Sequence, residues 1–335
     1  MLAHERWGLT MKLPRRQFLH LAAGVAALPA MSRIARAQAY PTRPVRLVVG
    51  LAAGGGTDVV ARIIAERLSQ QLGQQFFVEN RTGMAGNLAA QSVVNSPADG
   101  YTLLFIGPSN TISASIYKNL SFEFLRDTVA VAGVMRFPNW MVVPPSLPVH
   151  TVREFIDYAK ANPGNLSMAS SGVGASPHLS GELFKLMTGV NMVHVPYRGS
   201  AAAYPDLMAG NVHVLFDNLP GSIGLVQSGM LRALGVTTAK RWGALPDIPA
   251  IAETVPGYQV DVWYGIAAPK STPPELVSKL NKAVNTTLAD PKLIARFDEV
   301  GGVVMPMTMA EFSQFVVDDV EKWGKVVQFA NIKPE

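Results

Sequence analysis

From residue 44 onwards, short apolar runs alternate with segments of helical spacing, and this alternation constrains the fold more than any other feature of the chain. Residues 45–51 are rich in β-branched side chains and are bounded by Pro44 and a glycine cluster, the pattern of a buried strand. Residues 58–72 then set Val59, Ile63 and Leu68 at helical spacing, with Gly73 just past the end as a cap. Further strand candidates are 76–79, 102–106, 129–134, 140–143, 166–170, 192–195, 212–216, 231–236, 260–267 and 303–305. Three capping boxes mark helix starts: Thr151-x-x-Glu154, Thr272-Pro273-Pro274-Glu275 and Thr308-x-x-Glu311. Strands separated by helices join through crossovers, so the pattern predicts an α/β fold with parallel sheets covered by helices on both faces.

A chain of 335 residues suits about two domains. Two places read as passages between them: the proline-rich exit Val142-Val143-Pro144-Pro145 and the turn Val255-Pro256-Gly257. These give one lobe from 40–143 plus 262–335 and a second, inserted lobe from 144–261. Two crossings make a hinge, and the cleft between the lobes is the expected ligand site.

The net charge of +5 belongs to the first 37 residues. Arg6, Lys12, Arg15, Arg16, Arg33 and Arg36 lie there with a single acid, Glu5. Removing these six from the 29 basic residues and Glu5 from the 24 acidic ones leaves 23 of each. The rest of the chain is therefore neutral, without the basic footprint that a nucleic-acid partner needs. Residues 12–37 have the order of an export leader: a basic start, an apolar stretch at 18–31 and Ala35-Arg36-Ala37 as a cleavage site. That stretch, about 14 residues, is too short to span a bilayer core of about 30 Å. Arg15-Arg16-Gln17-Phe18-Leu19 resembles the twin-arginine signal, with a Sec leader as the alternative, and Met11 is a second possible start. Either route predicts a soluble periplasmic protein, cleaved near Ala37. The absence of cysteine excludes thiolate chemistry, Cys-ligated zinc, iron–sulfur clusters and a lipidated N-terminus.

Two glycine-rich turns each join a strand to a helix: Ala52-Ala53-Gly54-Gly55-Gly56-Thr57-Asp58 and Ser170-Ser171-Gly172-Val173-Gly174-Ala175-Ser176. Backbone N–H groups and the positive helix terminus make such turns anion sites, and glycine lets a ligand reach the backbone. A nucleotide is not expected. Gly56 stands where a P-loop needs lysine, and no Gly-x-Gly-x-x-Gly pattern fits. Asp58 reads as a brace of the first loop rather than a ligand contact.

Catalytic patterns are weak. No Gly-x-Ser-x-Gly surrounds Ser170 or Ser171, and His150, His178, His194 and His213 include no pair at metal-ligand spacing. No metal or cofactor is expected. Asp217-Asn218 and Tyr197-Arg198-Gly199-Ser200 end strands and point towards the cleft. Arg198 is expected to pair with Asp206 or Asp217, slightly ahead of a role in holding a ligand carboxylate. Trp140, Trp263 and Tyr264 lie near the crossings, as cleft floor or core.

Together these segments resemble the Bug/TctC family of extracytoplasmic solute receptors, the binding components of tripartite tricarboxylate transporters. The resemblance rests on Tyr40-Pro41-x-Arg43-Pro44-Val45-Arg46, Ala53-Gly54-Gly55-Gly56-Thr57-Asp58 with Arg62, and Glu79-Asn80-Arg81. It continues in Ala98-Asp99-Gly100-Tyr101-Thr102-Leu103-Leu104, Ser170-Ser171-Gly172-x-Gly174, His194-Val195-Pro196-Tyr197-Arg198-Gly199 and Phe216-Asp217-Asn218. It implies a type II periplasmic-binding-protein fold, a Venus flytrap whose lobes are mainly parallel sheets flanked by helices. It also implies a pincer of the two glycine loops around a carboxylate. The ligand-binding candidates are Ala53, Gly54, Gly55, Gly56, Thr57, Asn110, Ser170, Ser171, Gly172, Gly174, Ser176, Tyr197 and Asp217. The implied partners are a small organic acid or amino acid and the permease subunits of such a transporter, or a sensor; the receptor is expected to be a monomer. An uncoupled regulatory receptor and, behind it, an exported enzyme acting on small acids are the alternatives. Gly50 and Leu51 depart from the Pro and Phe common in the family, Met84 replaces a small residue, and 107–111 differs from the usual glycine- and histidine-bearing loop.

Overall fold

The computed structural model describes residues 40–117 and 119–329. The expected leader, with its arginine pair and cleavage site, lies outside the described residues. Eight strands form a continuous path in the order β2-β1-β3-β9-β4-β7-β5-β6, with β8 and β10 also paired to β4. The strands are β1 (Val45–Val49), β2 (Phe76–Asn80), β3 (Thr102–Ile106), β4 (Thr128–Val143), β5 (Leu166–Ser170), β6 (Met192–Pro196), β7 (Val214–Asn218), β8 (Arg232–Val236), β9 (Asp261–Pro269) and β10 (Val303–Val304). Helices that matter for the site are α1 (Gly56–Leu72), α2 (Asn87–Val94), α3 (Pro108–Ile116), α4 (Phe124–Asp127), α5 (Val152–Ala161), α6 (Ser176–Thr188), α7 (Ser200–Ala209) and α8 (Leu219–Gln227). After β9 come α9 (Pro274–Leu288), α10 (Pro291–Glu299) and α11 (Met309–Phe329).

The pairing divides into two halves that share β4. In the first half β1 lies parallel between β2 and β3, and β9 runs antiparallel to β3 and β4. In the second half β5 lies parallel between β6 and β7, while β7 and β8 run antiparallel to β4. Parallel pairing thus holds the outer strands, which crossover helices connect, and the shared strands add the antiparallel pairs. Residues 129–134 and 140–143, expected as two strands, belong to one strand of 16 residues. Its ladder to β9 ends at Pro138, opposite Asp261, and its ladder to β7 begins at Asn139, opposite Asn218. Proline has no N–H to continue a ladder, so Pro138 suits the point where β4 changes partners. The chain returns at the same level: Thr237 N–H donates to Asn139 O and Val260 N–H to Thr237 O, both at 2.8 Å.

Each half has its own apolar core. Val48, Leu104, Ile106, Trp263, Ala267 and Phe312 are buried together in the first. In the second, the Phe184 ring meets Phe155, Phe216 and Tyr258. Two of the expected capping boxes form, at Thr151 and Thr308, where each hydroxyl accepts from the N–H three residues on. The third does not. Pro273, with φ −52° and ψ 134°, is the N-cap, and Thr272 Oγ1 is buried without a partner. A residue before proline is pushed out of the helical region, so Pro274 keeps Pro273 extended and starts α9 one residue late for Thr272 to cap it.

Candidate functional site

The first glycine loop is tied to its own helix. Asp58, in the first turn of α1, accepts from Gly54 N–H and Arg62 Nε, both at 2.9 Å, through Oδ2. Its Oδ1 accepts from Asn80 Nδ2 at 2.9 Å, and the same amide donates to Leu51 O at 2.9 Å. Burial acts to raise the Asp58 pKa, but the bonds from Arg62, Gly54 and Asn80 outweigh it and hold the carboxyl below its ordinary value. Asp58 is therefore an ionised brace, as its place after the glycines predicts.

The second loop is braced by histidines. Gly174 N–H donates to His178 Nδ1 at 3.1 Å, while Ser170 Oγ bonds His194 Nε2 at 2.7 Å and accepts from Gly172 N–H at 3.2 Å. The two imidazoles stack with centroids 4.0 Å apart. Burial lowers the His178 pKa to about 4, aided by Lys185, and lowers that of His194 to about 3, with His178 as the next cause. Both rings are neutral at neutral pH.

Between the two halves lies an inner pocket of about 20 Å³, lined by Gly50, Leu51, Thr57, Ala85, Gly86, Phe105, residues 107–110, Ser176, Asn218 and Tyr264. That is room for about one water. Its walls are helix N-termini. Thr57 is the second residue of α1, Gly86 the N-cap of α2, Pro108 the first residue of α3, Ser176 the first of α6, and Asn218 the N-cap of α8. Each terminus carries free N–H groups and roughly half a positive charge, so five of them around one small space favour an anion. No lysine or arginine is in this lining among the described residues.

A buried polar chain forms the floor. Tyr264 O–H donates to Asn218 Oδ1 at 3.0 Å and bonds the Thr57 hydroxyl at 2.8 Å. Asn218 Nδ2 donates to Asn139 Oδ1 at 2.6 Å and to Ser176 Oγ at 3.1 Å, and Asn139 Nδ2 donates to Ser180 Oγ at 3.0 Å. Burial raises the Tyr264 pKa, so its proton stays in place. The Ser176 hydroxyl accepts within this chain. Asn110 Oδ1 accepts from Gly107 N–H at 3.1 Å, which orients its amide at the pocket edge.

An outer chamber of about 460 Å³ shares Gly50, Leu51 and Ala85 with the inner pocket and adds residues 82–84, Leu88, Tyr117, 171–173 and 196–198. Across it the halves touch: Ala52 N–H donates to Arg198 O at 3.2 Å, and Tyr117 O–H to Val173 O at 3.3 Å. A larger pocket, about 610 Å³, lies elsewhere, against Arg136, Trp263, Phe315 and Lys322. No glycine loop borders it, so size does not mark the site here.

The predicted residues divide three ways. Thr57, Asn110 and Ser176 line the inner pocket; Ser171, Gly172 and Tyr197 line the outer chamber. Ala53, Gly54, Gly55, Gly56, Ser170, Gly174 and Asp217 are in neither lining. Asp217 is fully buried, accepts from Tyr204 O–H at 2.8 Å, and has its pKa raised by burial. The expected pairing of Arg198 does not form: Asp206 accepts instead from Tyr197 O–H at 2.7 Å and Asn211 Nδ2 at 3.1 Å. The Arg198 guanidinium makes no ion pair among the described residues. Asn218 and Tyr264, outside the candidate list, line the inner pocket. Ala85, Gly86, Pro108 and Ser109 were not predicted. For Ala85 and Gly86 the signal is conformational: Met84 and Ala85 have φ of 50° and 51° between the positive-φ glycines Gly83 and Gly86. Non-glycine residues in that region are strained and concentrate at functional sites.

A two-lobed fold with an anion pocket built from helix ends defines a solute-binding protein. The family model of the tripartite tricarboxylate transporter family receptor, TctC, matches residues 60–332, and the chain belongs to that family. It is 33% identical over 300 residues to Protein BugT of Bordetella pertussis, covering 89% of this chain and 92% of that one. The structure of Rpa4515 from R. palustris with adipate superposes with a TM-score of 0.86 at 41% identity, covering 88% of this chain and all of the other. MatC (Rpa3494) from Rhodopseudomonas palustris with bound malate gives a TM-score of 0.81 at 29% identity, over 86% of this chain and all of that one.

Proposed function

We propose that this chain is an exported periplasmic receptor, a monomer, that captures a small carboxylate-bearing ligand and delivers it to the permease subunits of a tripartite tricarboxylate-type transporter. The observation that carries this reading is the convergence of five helix N-termini on one pocket with no cation in its lining. Such a site suits a carboxylate oxygen held through N–H groups, with Ser176 O–H and the Asn110 amide as added donors. Relatives solved with adipate and with malate support the ligand class. The basic leader supports export.

In this reading the lobes are hinged where β4 changes partners, at Pro138–Asn139, and where the chain re-enters β9, so the first crossing falls a few residues before the boundary expected at 143/144. The floor chain Thr57–Tyr264–Asn218 spans both sheets and sets how far they close. A ligand that touches both lobes shifts the population to the closed state by its differential affinity. Thermal shift of refolded protein against mono-, di- and tricarboxylates, amino acids and aromatic acids tests the reading. A ligand at about 100 times its dissociation constant stabilises by about 2.7 kcal/mol. Absence of a shift with every acid would overturn it.

A further inference from the structure

Consecutive residues of a strand point to opposite faces of its sheet. On β9, Tyr264 lines the inner pocket, whereas Trp263 and Asp261 line the cavity of about 610 Å³. Arg136, paired with Trp263 in the ladder of β4 and β9, lines that cavity too. The cavity therefore lies on the other face of the hinge strands from the anion pocket. Its walls come from both halves: Val303 of β10 and Phe315 of α11 from the first, Trp242 from the second. The Trp242 indole N–H donates to Gly301 O at 2.7 Å and so ties the halves together on this face. A rotation that narrows the cleft widens a space on the opposite face, so the size of this cavity follows the angle between the halves.

The walls are aromatic and acidic. Trp263 and Phe315 meet edge to face with centroids 5.2 Å apart, and Trp242 is half-buried on the same lining. The rings here already draw cations: the Arg136 guanidinium lies 5.4 Å from the Phe315 centroid, and Lys322 Nζ lies 5.4 Å from that of Trp323. Asp261, Asp318 and Asp319 outnumber those two bases on the lining, and none of the three forms an ion pair among the described residues. Asp261 and Asp318 accept from the neutral amides of Gln259 and Gln314. Asp319 is only 7% exposed and accepts from Thr111 Oγ1 at 2.6 Å. A buried carboxyl without a cation is costly, and a cationic ligand would satisfy it.

We propose that this cavity is a second ligand site, for an aromatic cation, and that its occupant favours the closed cleft. The coupling rests on the reading that the halves close on an acid at the inner pocket; binding at the cavity does not. The ring of the ligand packs among Trp242, Trp263 and Phe315, and its charge meets Asp318 and Asp319. The occupant fills the space that closure opens, so cation and acid each tighten the other by the same factor.

Isothermal titration of refolded, acid-free protein with tryptamine and with tryptophol, its uncharged match, tests the site. Tryptamine should bind about threefold to tenfold tighter, and Asp318→Asn should shrink that difference. Val303→Trp, at an exposed position of β10, should fill the cavity and abolish tryptamine binding while acid binding persists, a combination that misfolding would not give. With tryptamine saturating, adipate or malate should bind at least about fivefold tighter, and either acid should tighten tryptamine equally. Absence of tryptamine binding, equal binding of tryptophol, or tryptamine binding that survives Val303→Trp would overturn the site. An acid affinity that tryptamine leaves unchanged would overturn the coupling. Failure of every acid to bind would overturn the receptor reading alone, because the direct titration uses no acid.

Discussion

Residues 52–58 and 170–176 are glycine-rich turns of the same kind in sequence, each between a strand and a helix, yet their glycines answer different demands. In the first, Gly55 and Gly56 have ordinary negative-φ backbone, and Gly56 is small because the other half of the molecule lies against it. A Cβ on Gly56 would stand 2.8 Å from Asn218 Cβ and 3.3 Å from Gly221 N. In the second, Gly172 and Gly174 have φ of 126° and 83°, and the loop's shape itself requires glycine. The braces differ as well: an ionised Asp58 with Arg62 and Asn80 holds the first, while two neutral stacked imidazoles hold the second. Gly54, at φ 80°, also needs its glycine for backbone conformation, so the first loop combines that demand with contact between halves, while the second is set by its own backbone.

The largest expected effect is from Gly56→Val, which forces α1 away from Asn218 and the floor chain. Overpacking costs about 1–3 kcal/mol. Calorimetry should find a lower melting temperature, and titration should find acid binding lost. Unchanged binding would break the claim that this glycine is needed for closure. Asp58→Asn should cost about 1–3 kcal/mol at neutral pH by leaving Arg62 without its carboxylate. Because the folded Asp58 pKa is depressed, its stabilisation is present above the ordinary carboxylate range and is lost as pH falls through the folded value. The difference between wild type and variant in pH-dependent melts should therefore shrink below about pH 4.

For the second loop, Gly172→Ala should destabilise by about 1–3 kcal/mol, the strain of a side chain at φ 126°. The histidine brace gives a distinct pH window. The unfolded chain protonates His178 near 6.5 and the folded one near 4, so wild-type stability falls as pH drops between those values. His178→Gln, which keeps an acceptor for Gly174 N–H, should flatten melting curves in that window; an unchanged slope would remove the pair from the account. The smallest effect is expected from Gly55→Ala, within about 0.5 kcal/mol of wild type, because φ is −81° and the nearest atom to an added Cβ is 3.5 Å away. Together, Gly55→Ala and Gly172→Ala are the sharpest test of whether the two loops obey different constraints.

Much of the local structure was legible in the residues. β-branched runs became strands, Gly73 ended its helix in a left-handed conformation, and Thr151 and Thr308 capped theirs. Asp58 was readable as a brace because a carboxylate in the first turn of a helix reaches the N–H groups just before it. Arg198 was not readable, since a nearby Asp in sequence says nothing of whether Tyr197 and Asn211 already hold it. Nor was the single strand β4: Pro138 interrupts the apolar pattern there, and only its place between two ladders explains why the strand continues.

The sequence alone determined the order of elements, the helix starts, the bracing acid and the absence of a cationic phosphate loop, because each depends on residues within a few positions of one another. Tertiary structure decided which helix ends meet, that Asn218 and Tyr264 join Thr57 to Ser176, and that Gly54 and Gly55 are outside the lining of the pocket. Those outcomes depend on β4 running from one half of the pairing into the other and on the return of the chain at the start of β9, which together bring groups more than a hundred residues apart into contact and leave no local trace in the chain.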